Sequence, residues 1–325
     1  MAKLIRRRTC LLAAIVFLLA PPCALAQGYP TKPIRIVVPF VAGGSMDRLA
    51  RILQTHMLES WGQPVVVDNR PGGGTVIGTE LVSNASPDGY TLLMIANSAA
   101  INSTLRPKLP YDLLKDFSPI SQLARTPHLL VVPASLKVNR LDELIALARA
   151  RPGKLNYASI GPGSIQHLSG EMFKALAAID VVHVPYAGTA PAVIAMLSGE
   201  VSMMFANVAD VQQHVQTGRI KALAIASSRR QSSMEDIPTF IESGFSGFES
   251  STWYGMVAPN GTPTEIVSKV NSEVLRIMQL PDVRETLATE GMQSLGTMPD
   301  TFRSFLIEEV DKYGRIVKAA NLKVD

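Results

Sequence analysis

The 325-residue sequence predicts an α/β fold in two lobes, and three observations carry that expectation. Short β-branched runs alternate with longer segments of helical period, the pattern of βα units around largely parallel sheets. The chain without its leader is long enough for two domains of about 150 residues each. Two extended stretches, Ser118 to Leu130 and Ser250 to Pro259, lie between such units and are placed to leave one lobe and return to it. Lobe one is therefore expected over residues 27–125 plus 253–325, and lobe two over 126–252, consistent with common domain sizes.

The elements follow in order. Ile34 to Val38 reads as a strand, and Leu49, Ile52, Leu53 and Met57 then recur at helical spacing. Val65 to Val67, Thr91 to Ile95, Leu129 to Val132, Leu155 to Ala158, Val181 to Val184, Val201 to Phe205 and Leu223 to Ala226 continue the strands. Trp253 to Ala258 is a further strand. Helices are expected over Pro263–Met278, Pro281–Glu290 and Pro299–Ala320, each opening near a proline, which suits a first helical turn. Neither an internal repeat nor a low-complexity tract interrupts the series.

Residues 1–26 have the form of a cleavable signal peptide: Lys3, Arg6, Arg7 and Arg8 precede the apolar run Leu11 to Ala20, and Ala24-Leu25-Ala26 is a small-x-small site before Gln27. Export to the periplasm is the expectation. The context of Arg7-Arg8 favours the general secretory route, and Pro21-Pro22 before Cys23 argues against lipid attachment. The leader holds four of the 31 basic residues and none of the 27 acidic ones, so the remainder carries as many basic as acidic groups. That balance gives no reason to expect nucleic-acid binding. Cys10 and Cys23 both lie in the leader, so the exported chain is expected to be thiol-free. No later stretch is apolar over a membrane-spanning length.

Two glycine-bearing loops carry the chemistry. In Pro39-Phe40-Val41-Ala42-Gly43-Gly44-Ser45-Met46-Asp47, the glycines allow close backbone approach and Ser45 is placed to cap a helix, leaving N–H groups free for an anion. The alternative is an ordinary capped turn. Ser159-Ile160-Gly161-Pro162-Gly163-Ser164 repeats the arrangement more than a hundred residues later, with Gln166 and His167 on the opening helical turn. Leu168, Met172 and Leu176 read as that helix's buried stripe, which leaves Gln166 and His167 near an exposed end. Two such termini facing each other would clamp opposite ends of a dicarboxylate.

A catalytic use of Ser164 and His167 would need a third, orienting group, which the sequence does not supply, so no catalytic residue is assigned and an exported hydrolase is the weaker alternative. His56, His128 and His214 stand alone, His183 sits in a strand-like run, and no metal-ligand spacing appears. Gly72-Gly73-Gly74-Thr75-Val76-Ile77-Gly78 departs from the dinucleotide-binding pattern in spacing and position, so no cofactor is expected. It reads as a tight or cleft-lining turn. Tyr186, Asn207 and Trp253 follow strand-like runs, where α/β proteins place ligand contacts, though each could equally pack or cap.

Several motifs in one order extend the reading. Tyr29-Pro30-Thr31-Lys32-Pro33-Ile34-Arg35, Val38-Pro39-Phe40 with Gly43-Gly44 and Asp47, Asn69-Arg70-Pro71-Gly72, Pro87-Asp88-Gly89-Tyr90, Leu109-Pro110-Tyr111-Asp112, Gln166-His167-Leu168, His183-Val184-Pro185-Tyr186 and Asp236-Ile237-Pro238-Thr239 span the exported chain. In these it resembles the Bug-type substrate-binding proteins of tripartite tricarboxylate transporters. The resemblance implies a type II-like periplasmic-binding-protein fold, two α/β lobes closing on a cleft like a flytrap. It also implies a monomeric receptor that passes a small aliphatic or aromatic carboxylate to membrane transporter subunits, or presents it to a signalling receptor. By motif position it points to Phe40, Gly43, Gly44, Ser45 and Asp47 from lobe one, and to Gly161, Ser164, Gln166 and His167, with Asn207 and Tyr186, from lobe two. Val41-Ala42 replaces prolines, Ala187 a lysine and Ala206 an aspartate common in that family, which implies a less charged pocket suited to an aromatic or monocarboxylate ligand.

Overall fold

Strands β1 (Ile34–Val38), β2 (Val65–Asn69) and β3 (Thr91–Ala96) form a parallel set in the computed structural model of the chain. Residues 28–231 and 234–319 are described, so the leader and its cleavage site lie outside them. The core strand β1 is four-fifths buried, which suits its unbroken Ile and Val content. Helix α1 (Ser45–Trp61) follows β1, buries Leu49, Ala50, Leu53 and Met57, and stops at Gly62, whose φ of 64° is the left-handed C-terminal conformation. Helices α2 (Val76–Ser83) and α3 (Asn97–Leu105) follow β2 and β3.

The second half of the sheet repeats the plan. After the long strand β4 (Phe117–Pro133) come α4 (Leu141–Ala150), β5 (Leu155–Ser159), α5 (Ile165–Ala177), β6 (Val181–Pro185), α6 (Thr189–Ser198), β7 (Met203–Asn207), α7 (Val208–Gln216) and β8 (Ile220–Ile225). Strand β9 (Ser251–Pro259) then leads to α8 (Thr264–Gln279), α9 (Pro281–Thr289), the short β10 (Gln293–Ser294) and α10 (Pro299–Ala319).

The strand order is β2-β1-β3-β9-β4-β7-β5-β6, with β8 and β10 also paired to β4. Strand β4 pairs with β9 and β10 along its first part and with β7 and β8 along its second. The expectation of largely parallel sheets needs correction here. The β1–β2, β1–β3, β5–β6 and β5–β7 pairs are parallel, but every pair involving β4 or β9 is antiparallel. The physical reason is that these two strands cross the middle of the sheet in opposite directions, whereas the others belong to βα units with helical returns. The two extended stretches read from the sequence fall in these strands.

Each half has its own apolar core. Trp253, Phe302, Leu306 and Tyr313 pack with Ile95 and Val257 in the first. Phe173, Phe205, Phe240 and Phe248 pack with Tyr157 in the second. Close packing in these cores leaves no room for a methyl at Gly170, against the Tyr157 ring, or at Gly255, against the Phe302 ring. Gly255→Ala is therefore expected to lose about 1–3 kcal/mol of stability through overpacking, read as a lower urea midpoint. An unchanged midpoint would mean that α10 moves away at little cost.

Candidate functional site

Helices in the βα units start where their strands end, so their N-termini gather at the carboxyl edge of the sheet. Five of them meet at one cavity of ≈ 40 Å³, room for on the order of three waters. Gly44, Ser45, Met46 and Asp47 bring the start of α1; Ala96, Asn97 and Ser98 that of α3. Ser164, Ile165 and Gln166 bring α5, Thr189 brings α6 and Asn207 brings α7. Phe40, Val41, Ile160, Thr252 and Tyr254 complete the wall. The lining contains no lysine or arginine, and Asp47 is its charged residue.

Asp47 holds the first loop in place. Its Oδ2 accepts from Gly43 N at 3.0 Å and from Arg51 Nε at 2.9 Å, and its Oδ1 accepts from Asn69 Nδ2 at 3.0 Å and Arg51 Nη2 at 3.2 Å. Burial alone would raise its pKa, but the Arg51 guanidinium, the Gly43 N–H and the Asn69 amide outweigh it and hold the carboxyl below its ordinary value. Gly43 itself, at φ 88°, is exposed and outside the lining. Ser45 does not cap α1, contrary to the sequence expectation. Gly44 is the N-cap, and Ser45 Oγ instead donates to Asp210 Oδ1 at 2.8 Å.

Asp210 ties the two walls together. Its side chain is only 3% exposed; Oδ1 also accepts from Arg48 Nη2 at 3.0 Å and Oδ2 accepts from Asn207 Nδ2 at 2.9 Å. Arg48 bonds Glu290 as well, at 3.2 Å, and these two carboxylates overcome its desolvation to raise its pKa. Ser45 and Arg48 stand on α1, Asp210 and Asn207 at the start of α7, so one buried carboxylate links the first half of the sheet to the second.

In the second loop Ser164 caps α5. Its Oγ donates to Gly161 O at 2.7 Å and accepts from His167 N at 3.3 Å. Gly161, expected to touch ligand, lies outside the lining; at φ 116° its N–H is taken by Ser159 Oγ at 3.1 Å. His167 is also outside it and is buried rather than exposed, stacked on His183 with ring centroids 4.2 Å apart. The buried stripe of α5 is the reason: it runs through Ile165, Leu168, Phe173 and Ala177, while Leu176 is exposed. Tyr186 leaves the cavity too, donating from its hydroxyl to Glu200 Oε1 at 2.9 Å; burial and that carboxylate push its pKa up to about 12. Ala187 is exposed and Ala206 buried, both outside the lining.

The cavity thus brings together Phe40, Gly44, Ser45, Asp47, Ser164, Gln166 and Asn207 of the expected set. It adds Ala96, Asn97, Ser98, Thr189, Thr252 and Tyr254, which the sequence reading did not assign. The Gly72–Gly78 turn is not part of it. Trp253, flanked by two lining residues, points its indole N–H to Glu309 Oε2 at 2.7 Å instead. Among the described residues, no group of three or more His, Cys, Asp or Glu is arranged to hold a metal ion, and no helix is long and apolar enough to cross a membrane.

Residues 49–322 match the family described as tripartite tricarboxylate transporter family receptor, TctC. BugT of Bordetella pertussis is 38% identical over 301 residues, 92% of each chain. Among solved structures, the periplasmic binding protein BugD superposes with a TM-score of 0.87 at 31% identity, covering 91% of this chain and 99% of its own. A Rhodopseudomonas palustris protein solved with adipate gives 0.88 at 32% identity, covering 91% and 99%. MatC of the same organism, with bound malate, gives 0.84 at 32%, covering 89% and 100%. The fold is the two-lobed α/β fold of periplasmic binding proteins.

Removing the shared carboxylate should loosen the walls. Asp210→Ala is expected to cost on the order of 1–3 kcal/mol, less than a fully buried pair because Arg48 is part-exposed, and to raise the radius of gyration in small-angle scattering. A compact variant of native stability would show that the link is dispensable.

Acid should weaken the fold through two histidines. Burial holds His128 at about 3; burial and then the neighbouring His167 hold His183 at about 4, both against an ordinary 6.5. The unfolded chain therefore takes up protons as pH falls below about 6.5, while the folded chain does not until near 4 or 3, so stability present above 6.5 is lost through that window. The slope is at most about 1.4 kcal/mol per pH unit for each histidine. Urea midpoints between pH 7 and 5 should fall accordingly, and less steeply in His183→Gln; parallel profiles would exclude His183.

Proposed function

The chain belongs to the tripartite tricarboxylate transporter receptor family, and from that membership we propose that it is an exported, monomeric receptor, with a leader cleaved before Gln27, that binds a small carboxylate in this cavity and delivers it to membrane transporter subunits. The observation that carries the reading is the convergence of five helix N-termini on a wall without lysine or arginine. Each terminus contributes about 0.3–1 kcal/mol to an anion when exposed and up to ~2 when partly buried. Five together reach several kcal/mol, a large part of the roughly 8 kcal/mol of a micromolar complex.

Two relatives support the ligand class, since one was solved with adipate and the other with malate. Solute receptors, not enzymes, make up that family. The lobes proposed for this chain are residues 27–125 plus 253–325 and residues 126–252, with the cavity between them. Phe40, Gly44, Ser45, Ser164, Gln166 and Asn207 are proposed as ligand contacts, and Asp47 as the group that fixes the loop carrying Gly43 and Gly44. Gly161, His167 and Tyr186 would support the second loop from behind. A cavity of ≈ 40 Å³ admits a ligand of several heavy atoms only when its walls separate, in keeping with a flytrap.

Isothermal titration of residues 27–325 with a panel of aliphatic and aromatic acids is expected to find at least one that binds in the micromolar range or tighter. Gly44→Leu, whose side chain would grow toward Thr189 across the cavity, should weaken that acid at least about tenfold. No heat from any acid would count against the receptor reading.

A further inference from the structure

We propose that the cavity selects carboxylates that also carry a hydroxyl group, because two residues of its wall, Gln166 and Asn207, each keep a buried amide oxygen that lacks a hydrogen-bond donor. This rests on the receptor reading and names the ligand class within it. Gln166 Oε1 and Asn207 Oδ1 have no hydrogen-bond partner, on residues only 2% and 4% exposed that both line the cavity. The Asn207 amide has a defined orientation: its Nδ2 donates to Asp210 Oδ2 at 2.9 Å and lies 3.3 Å from Tyr254 Oη, so its oxygen is the atom left over.

A carboxylate alone cannot satisfy these oxygens. It is an acceptor itself, it is drawn to the helix N-termini, and it leaves both amides desolvated and unpaired. The hydroxyls of Ser98 and Thr189 on the same wall rotate to donate or accept and so do not discriminate, and that of Thr252 is held by His128 Nε2 at 2.8 Å. The amide oxygens only accept. A hydroxyl placed beside the carboxylate has one hydrogen to give and would complete one of the two.

The donor is neutral rather than an ammonium. The acidic group on the lining, Asp47, is already engaged by Gly43, Arg51 and Asn69, and Asp210 behind the wall by Ser45, Arg48 and Asn207. An ammonium would therefore sit among the positive ends of five helices with no free carboxylate to balance it. An O–H meets neither penalty.

Calorimetric titration of residues 27–325 with matched series tests the proposal: propionate, lactate and alanine; succinate, malate and aspartate; phenylacetate, mandelate and phenylglycine. In the series that fits the cavity, the 2-hydroxy acid is expected to bind at least about tenfold more tightly than both its parent acid and its 2-amino analogue. Gln166→Met, which keeps shape without the oxygen, or Asn207→Leu, according to which oxygen takes the hydroxyl hydrogen, should shrink the hydroxy-to-parent ratio toward one, with thermal melts confirming that the variants fold. A parent or amino acid that binds as tightly overturns the proposal, with water answering the amides, and leaves the receptor reading standing. A ratio that survives both substitutions in folded protein overturns it as well. Binding of none of the nine acids removes the receptor reading and this proposal with it.

Discussion

A carboxylate shut away from water must be met by charge and donors on every side, and Asp210 is such a group. Its partners come from two helices separated by about 160 positions in sequence, so satisfying it requires α1 and α7 to stand side by side. The wall of the cavity inherits its chemistry from that requirement. Ser45 Oγ and Arg48 Nη2 both donate to Asp210, and Asn207 gives it the amide nitrogen, which leaves the amide oxygen without a partner. The polarity of the wall is thus set one layer behind it.

The sheet supplies the rest. Parallel βα units carry helix N-termini to one edge, and the crossing strands β4 and β9 bring two such edges together. Alternation along β9 turns Thr252 and Tyr254 toward the cavity and Trp253 toward α10, where Glu309 meets its indole. Asp47 then stiffens the loop after β1 with bonds to Gly43, Asn69 and Arg51, so that the backbone at Gly44 is presented without a side chain in front of it.

Much of this is legible in the sequence. Strand β1 falls on the predicted residues, and the helices near Pro263, Pro281 and Pro299 begin within a residue of expectation because proline marks a first turn. The loops after β1 and β5 were marked by glycine beside serine, a signal with a local cause. The start of α3 gave no such signal: Ala96-Asn97-Ser98-Ala99 continues from a buried strand with no glycine or proline, and its role comes from position alone. Tyr254, Asp210 and Arg48 were missed because their meeting is a long-range fact of strand crossing. His167 was misplaced because Leu168, Met172 and Leu176 suggested a stripe, whereas Phe173 and Ala177 fill the core.

The absence of lysine and arginine from the lining has a consequence for the setting in which such a protein would work. Peptide dipoles held within a protein gather no diffuse cloud of counter-ions, and dissolved electrolyte screens them far less than it screens a cation on the surface. A periplasm exchanges small ions with the medium outside, and its salinity follows that medium. A grip built from partly buried N–H groups would therefore weaken less as that salinity rises than one built on exposed ammonium groups.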